Sequence, residues 1–139
     1  MALVEAMAEA AERDRIAAEY VTRFAEVFEM GLPAYARALE RWGDRDWAAV
    51  AAYLRLLASG LDSHVLRKLG AAVATEVRRV AGEVEGALLA QDNPEAAAPA
   101  LLAWDGDLKQ RGINPGTCAD LTVATIFAGR LLDRLARAG

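Results

Sequence analysis

Five side chains with chemical potential lie close together in the segment GLDSHVLRKLG, which two glycines bound. A carboxylate, a hydroxyl, an imidazole and two cations fall within about two helical turns: Asp62, Ser63, His64, Arg67 and Lys68. Asp62 is placed to cap a short helix, and the imidazole and the cations then share one face. An Arg-Lys pair beside a helix start is suited to binding phosphate. The alternative interpretation is a capped helix with a solvated basic end.

A second polar segment, RGINPGTCAD, leads into the last helix of the chain. Its Pro-Gly pair predicts a tight turn, and Gly116 allows a ligand to approach the backbone closely. The free amides at the following helix N-terminus, with the helix dipole, can bind an anion. The alternative interpretation is a turn followed by a capping box, in which Thr117 caps the helix and Asp120 lies three residues on.

The single histidine and the single cysteine have limited chemical options. An imidazole suits proton transfer near neutral pH, yet a lone histidine such as His64 is more often a structural hydrogen-bonding residue. Cys118 lies near a helix N-terminus, which can lower a thiol pKa, although a small packed residue is the interpretation we favour. One His and one Cys exclude a Cys/His zinc cluster within this chain.

Composition restricts the classes of protein to consider. The chain has 139 residues, 55% of them hydrophobic, and a net charge of -4, which disfavours a nucleic-acid-binding protein. One cysteine fits a reducing compartment, and no apolar run reaches the roughly 20 residues that span a bilayer. Since the N-terminus lacks the pattern of a secretory signal, we expect a cytoplasmic protein that does not contact membranes.

Helix-favouring residues dominate, which predicts an all-α fold: a single domain over residues 1–139 with about six to seven helices. Expected boundaries are caps at Asp14, Asp46 and Asn93 and stops at Gly31, Gly43, Gly60 and Gly112, with Pro33 in a first turn. Residues 71–90 are expected to form a surface helix with one apolar face, and charged residues that include Glu85 occupy the rest of its surface. The stretch LTVATIFAG in the last helix has no charge on any face, so we expect that helix at the centre of the bundle.

The two polar segments also carry a family resemblance. The string GINPGTCADLTVATIFAGRLL resembles the C-terminal signature of the triphosphoribosyl-dephospho-CoA synthase family, and LDSHVLRKLG resembles the family's second motif. The upstream AERDRIAAEYVTRFAEVFEMGLP is also similar to that family, closest to its branch from archaea and one-carbon-metabolising bacteria. The motifs occur in the family's order, about fifty residues apart, and the resemblance extends over nearly the whole chain.

The resemblance implies an all-α enzyme that transfers the triphosphoribosyl group of ATP to the 2′-hydroxyl of 3′-dephospho-CoA and releases adenine. Breaking the ribose-adenine bond builds positive charge on the sugar, which a carboxylate stabilises; the candidates are Asp62, Asp105 and Asp120. His64 is the candidate for proton transfer. Mg²⁺ held by Asp62 and Asp120 would bind the triphosphate. The remaining nucleotide-binding candidates are Ser63, Arg67, Lys68, Asn114, Gly116 and Thr117.

Two departures from the family pattern matter for function. Cys118 occupies a position where the family has Ser or Thr, and His64 is more typical of the one-carbon branch. Family members are about twice as long, so the chain resembles their C-terminal half, and we expect it to need the N-terminal half or to self-associate. The alternatives are a non-catalytic helical binding module, or a member acting in pterin or furan cofactor synthesis.

Overall fold

The chain forms an all-α bundle in the computed structural model, which describes residues 25–138. The all-α fold class predicted from the sequence is therefore confirmed. A π-helical turn at Val27–Gly31 leads into six α-helices and one 3₁₀ turn: α1 Leu32–Trp42, α2 Arg45–Ser59, α3 Ser63–Leu69, α4 Ala71–Leu89, the 3₁₀ turn Pro94–Ala97, α5 Ala98–Gln110 and α6 Gly116–Ala138. The predicted cap at Asp14 and its helix lie outside the described residues, apart from the last turns.

Helix α2 lies at the centre of the bundle, because α1, α4 and α6 all pack against it. Its alanines and leucines are buried on more than one side, with Ala48, Ala52 and Leu57 fully enclosed. Small alanine side chains let neighbouring helices approach closely, and the leucines fill the space between them. The core has two adjacent parts, and Tyr53 of α2 packs against both of them.

The prediction that the last helix occupies the centre was therefore wrong. One face of α6 is enclosed, with Leu121 and Thr125 buried, but Val123 is 68% exposed and Phe127 is 69% exposed. The absence of charge around a helix indicates burial only if partners exist for every face. Among the described residues, no element covers the outer face of α6.

Most helix boundaries follow local signals. Pro33 lies in the first turn of α1, and Gly43 ends that helix with φ of 66°, a left-handed conformation that favours glycine. Asn93 caps the Pro94 turn by accepting from the Glu95 amide. None of the helices over residues 25–138 combines the length and apolar character needed to cross a bilayer.

Two predicted boundaries were wrong. Gly31 does not end a helix: its φ is -65°, and the chain passes through the π-helical turn into α1. Gly31 is instead the point of closest approach to α6, since a Cβ there would collide with the Thr125 hydroxyl. The cap of α2 is Asp44, which accepts from the Trp47 amide at 3.0 Å, whereas Asp46 lies in the first turn. The cap residue of a helix needs an extended backbone conformation, and Asp44 has that conformation.

The polar face predicted for α4 also needs one correction. Glu85 was placed among its exposed residues, yet it is buried beside Arg55 of α2, whose Nε lies 3.4 Å from Glu85 Oε2. The pattern of charges along α4 does not reveal that α2 carries a cation at the facing position. Burial raises the pKa of Glu85, and the nearby Arg55 and Arg37 cations oppose that effect.

Candidate active site

Asp62 caps α3 as its position in the sequence predicts. One carboxylate oxygen, Oδ1, accepts hydrogen bonds from the backbone amides of His64 at 2.9 Å and Val65 at 3.0 Å. Leu61 and Asp62 link the end of α2 to α3, and Val65 anchors the short helix in the core. The local sequence therefore fixes the start of α3 and, with it, the positions of Ser63 and His64 in its first turn.

The same carboxylate joins the two polar segments. Its second oxygen, Oδ2, accepts from the backbone amide of Cys118 at 2.8 Å, in the first turn of α6. Asp62 is only 2% exposed, and its two oxygens together bind three backbone N–H groups. Hydrogen bonds to a buried charged acceptor are among the stronger ones in proteins. We call this arrangement, formed by Asp62 with the amides of His64, Val65 and Cys118, the Asp62 junction.

His64 and Gly116 meet beside the Asp62 junction. A Cβ built on Gly116 would lie 3.5 Å from His64 Cγ and 3.8 Å from His64 Nδ1, so the imidazole covers this glycine. His64 is half-buried. Two candidates from separate segments are thus neighbours, and the imidazole lies at the start of α6.

The loop before α6 is held at both of its ends. Arg111 makes a two-pronged ion pair with Glu76 of α4, with N–O distances of 2.9 Å and 2.8 Å, and a third contact with Asp107. This pairing lowers the pKa of Glu76. Further along, the side chain of Ile113 is buried, and the amide of Gly116 donates to the carbonyl of Asn114 at 2.8 Å. Asn114 itself is exposed.

Thr117 does not occupy the cap position predicted for it at the start of α6. The helix begins at Gly116, and the Ala119 amide donates to the Pro115 carbonyl, so Thr117 lies inside the first turn. Pro115 lies at the cap position before Gly116. Its lack of a backbone N–H group costs no helical hydrogen bond there. Asp120 is exposed one turn into α6.

Arg67 and Lys68 are both exposed in the last turn of α3. Neither side chain has an ion-pair partner within residues 25–138. The two cations lie on the same short helix as His64, at the end opposite its Asp62 cap. An incoming phosphate is the type of group that such cations bind.

Cys118 is a packed residue, as we favoured, and its thiol does not resemble an activated nucleophile. Its side chain is buried. Burial raises the pKa of the Cys118 thiol above its ordinary value, and the Asp62 carboxylate raises it further. The thiol therefore stays protonated at neutral pH, and the N-terminal position on α6 does not compensate for these effects.

Tyr53 and Asp105 lie on the side of the junction that faces α5. Burial raises the pKa of the Tyr53 hydroxyl, and negative charge on the Asp62 and Asp105 carboxylates raises it further. Asp105 is exposed and pairs with Lys109 through Oδ2 at 2.7 Å. Sequence patterns did not single out Tyr53. The signal that was available is its spacing of six residues from Trp47 on the same helix.

The described residues do not form a binding site for magnesium. Within residues 25–138, no group of three or more His, Cys, Asp or Glu side chains is arranged to hold a metal ion. Both oxygens of Asp62 already bind backbone amides, and Asp120 is a single exposed carboxylate. These residues do not fit a resident magnesium ion, and magnesium would instead arrive bound to the ATP substrate.

Comparison with known proteins gives one match. A family model described as CitG, ATP:dephospho-CoA triphosphoribosyl transferase, matches residues 1–138. No curated protein and no solved structure matches the chain significantly. The family match covers both polar segments and every helix of the described structure.

Proposed function

This chain belongs to the ATP:dephospho-CoA triphosphoribosyl transferase family, and we propose that it transfers the triphosphoribosyl group of ATP to 3′-dephospho-CoA and releases adenine. The observation that carries the proposal is the Asp62 junction. It joins the segment 60–70 to the segment 111–120 and brings the imidazole of His64 against the start of α6, while Arg67 and Lys68 lie in the last turn of the same short helix.

The proposed reaction exchanges one bond at the ribose for another. The 2′-hydroxyl oxygen of dephospho-CoA bonds to C1′ of the ATP ribose, and the bond between C1′ and N9 of adenine breaks. The bonding electrons leave with adenine, and the hydroxyl proton passes to a base and finally to the departing adenine. Positive charge develops on the ribose between these steps, as in glycoside hydrolysis.

We assign the proton transfer to His64. It is the only histidine in the chain, and its half-buried imidazole packs over Gly116 at the start of α6. An imidazole has an ordinary pKa close to the working pH of a cytoplasmic enzyme, which suits a group that must accept and return a proton.

The aspartates take different parts in this proposal. Asp62 is buried and accepts from three amides, so it positions α3 and α6, and we propose that its carboxylate faces the charge that develops on the ribose. Asp120 is exposed at the start of α6 and is available to the magnesium that accompanies ATP. Asp105 lies further away, on α5.

Triphosphate binding falls to Arg67 and Lys68, with Ser63 at the start of the same helix. Both cations lack ion-pair partners among the described residues and are exposed to an incoming anion. Asn114, Gly116 and Thr117 belong to the loop and first turn of α6, and we assign them to contacts with phosphate or ribose oxygens. The amides of Gly116, Cys118 and Ala119 already donate within the protein, so these contacts fall to the remaining polar groups of the segment.

For the partner, we propose that the outer face of α6 is covered in the active assembly. Val123, Phe127 and Leu135 are largely exposed along this face. Contiguous apolar surface of this kind is typical of interaction sites. The partner that covers this face is either the N-terminal half that longer family members carry or a second copy of the chain.

The proposal is tested by measuring adenine release from ATP with and without dephospho-CoA. The assay is run with the chain alone and with an N-terminal half supplied, and a protein carrying both Arg67→Gln and Lys68→Gln is the control. Release that needs the acceptor and is lost in the control supports the proposal. Silence from a folded protein favours a non-catalytic binding module. Release that needs a pterin or furan precursor favours the one-carbon alternative.

A further inference from the structure

An apolar cleft between α2 and α5 has no assigned role. Its volume is about 370 Å³, within the range of small-ligand pockets. Helix α2 contributes Trp47, Val50, Tyr53 and Leu54 to its walls, and α5 contributes Ala98, Leu101, Leu102, Trp104, Asp105 and Leu108. The cleft is therefore walled by aromatic side chains from both helices, with one carboxylate among apolar residues.

The aromatic walls are held in place by the fold. The indole nitrogen of Trp47 donates to Glu95 Oε1 at 2.9 Å, which fixes the ring against the 3₁₀ turn. Tyr53 and Trp104 each pack against both parts of the core. A rigid aromatic wall suits a flat ring, because stacking requires little loss of side-chain freedom.

Two polar groups in the cleft have unused hydrogen-bonding capacity. The Tyr53 hydroxyl makes no hydrogen bond with any residue in the range 25–138. Asp105 uses Oδ2 for Lys109, and its other oxygen has no partner in that range. A purely apolar occupant would leave both groups without partners, whereas a ring with amine and ring-nitrogen edges would satisfy them.

We infer that this cleft binds the adenine ring of a substrate nucleotide, stacked against Trp47 and Trp104, with Tyr53 and Asp105 bound to its polar edge. Asp105 accepts from the exocyclic amine, and Tyr53 donates to a ring nitrogen. The inference rests on the proposed function, since both ATP and dephospho-CoA carry adenine. Tyr53 and Trp104 also pack against the part of the core that contains Val65 and Cys118, so the cleft adjoins the Asp62 junction.

The first test uses tryptophan fluorescence with adenosine, which carries the ring without phosphates. A protein with Trp42→Phe and Trp47→Phe reports only on Trp104. The matched control, with Trp47→Phe and Trp104→Phe, reports only on Trp42, which lies on α1 outside the cleft. We expect saturable quenching of Trp104 and none of Trp42. Equal quenching of both, or no saturation, would overturn the inference.

The second test addresses the polar edge without disturbing the packing. Tyr53→Phe keeps the ring, and we expect it to weaken adenosine binding by about five- to tenfold, the effect of one hydrogen bond. Asp105→Asn should reduce the preference for adenosine over inosine, which has an oxygen in place of the amine. Unchanged affinity in Tyr53→Phe together with an unchanged preference in Asp105→Asn would contradict the assignment.

Separate titrations with ATP and dephospho-CoA identify the source of the ring. Quenching of Trp104 by either one supports the inference and names the substrate, and quenching by neither overturns it. If quenching of Trp104 depends on protein concentration and not on nucleotide concentration, a second copy of the chain occupies the cleft. That result also overturns the inference. If the native protein transfers triphosphoribosyl groups while the Tyr53→Phe and Asp105→Asn variants keep both KM values, the inference fails and the proposed function stands. If adenosine binds saturably but the native protein transfers no triphosphoribosyl group, the inference stands and the proposed function fails.

Discussion

Asp62 and Cys118 are 56 residues apart in sequence, yet the Asp62 carboxylate accepts a hydrogen bond from the Cys118 backbone amide at 2.8 Å. The other oxygen of Asp62 caps α3. One buried side chain thus fixes two helix starts relative to each other. The contact explains why two polar segments that packing alone does not require lie at the same place in the bundle.

Replacing Asp62 tests this bridging role. In Asp62→Asn, one oxygen still caps α3, but the amide group then faces the Cys118 N–H and leaves a buried donor without an acceptor. We expect a loss of about 1–3 kcal/mol in the free energy of unfolding, measured by chemical denaturation. Asp44→Asn is the matched control, because Asp44 caps α2 through a single local amide and Asn caps equally well. Equal small effects of both substitutions would contradict the bridge.

The close contact between Gly31 and Thr125 predicts intolerance to a single methyl group. In Gly31→Ala the new Cβ collides with the Thr125 hydroxyl and contacts Leu56. We expect a destabilisation of about 1–3 kcal/mol from overpacking. Gly86→Ala in α4 is the control, since nothing lies within 4 Å of its Cβ position, and it should stabilise the helix by about 0.5–1 kcal/mol. Thermal unfolding that shows both variants stabilised would exclude the close contact.

Burial of Glu85 predicts a specific pH dependence of stability. Its folded-state pKa is raised above the unfolded value, so the folded protein binds the proton more tightly and stability falls as pH rises through that interval. Glu85→Gln carries no charge at any pH. Its free energy of unfolding should exceed that of the native protein at neutral pH, and the excess should shrink as the pH falls to about 4.

Denaturation curves at a series of pH values measure this difference. Glu83→Gln is the control, because Glu83 is exposed and pairs with Arg79 on the same helix. A Glu85→Gln excess that grows as the pH falls would mean that the Arg55 attraction outweighs burial.

The two cations of α3 should act on substrate binding and leave folding unchanged. Arg67→Gln and Lys68→Gln each remove a charge from an exposed site, so stability should change by less than about 0.5 kcal/mol. In the active assembly we expect KM for ATP to rise roughly tenfold in each variant, since hydrogen bonds to charged groups are lost. Arg78→Gln makes the same charge change on α4 and should leave KM unchanged. Equal KM values in all three variants would remove the cations from the site.

Local signals were sufficient to predict much of the fold. Pro33, Gly43, Asp62 and Asn93 act through their own backbone geometry or through amides two or three residues away, so a sequence contains the information they need. The errors at Gly31 and Glu85 occurred where a partner from another helix decides the outcome, whereas the α2 cap was placed two residues too late, at Asp46 instead of Asp44. Gly31 looks like a helix stop, but its role is to let α6 approach.

The candidate site was predicted less completely than the fold. The residue types of segments 60–70 and 111–120 indicated phosphate chemistry, and the family match covers both segments. The hydrogen bond between Asp62 and Cys118 left no local signal in the sequence. Its donor is a backbone N–H group, which every residue type except proline carries, so the residue type at position 118 does not reveal it. Tyr53 was missed for a similar reason: a tyrosine in an apolar helix face resembles an ordinary core residue until α5 is seen opposite it.

The most direct test of the proposed activity follows the ribose of ATP. ATP labelled with ¹³C in its ribose is incubated with dephospho-CoA and the active assembly, and the products are separated and weighed by mass spectrometry. We predict that dephospho-CoA gains one labelled triphosphoribosyl group while unlabelled adenine is released in equal amount. Label that remains in adenine nucleotides, or that appears in free ribose triphosphate with no modified dephospho-CoA, would contradict triphosphoribosyl transfer to this acceptor.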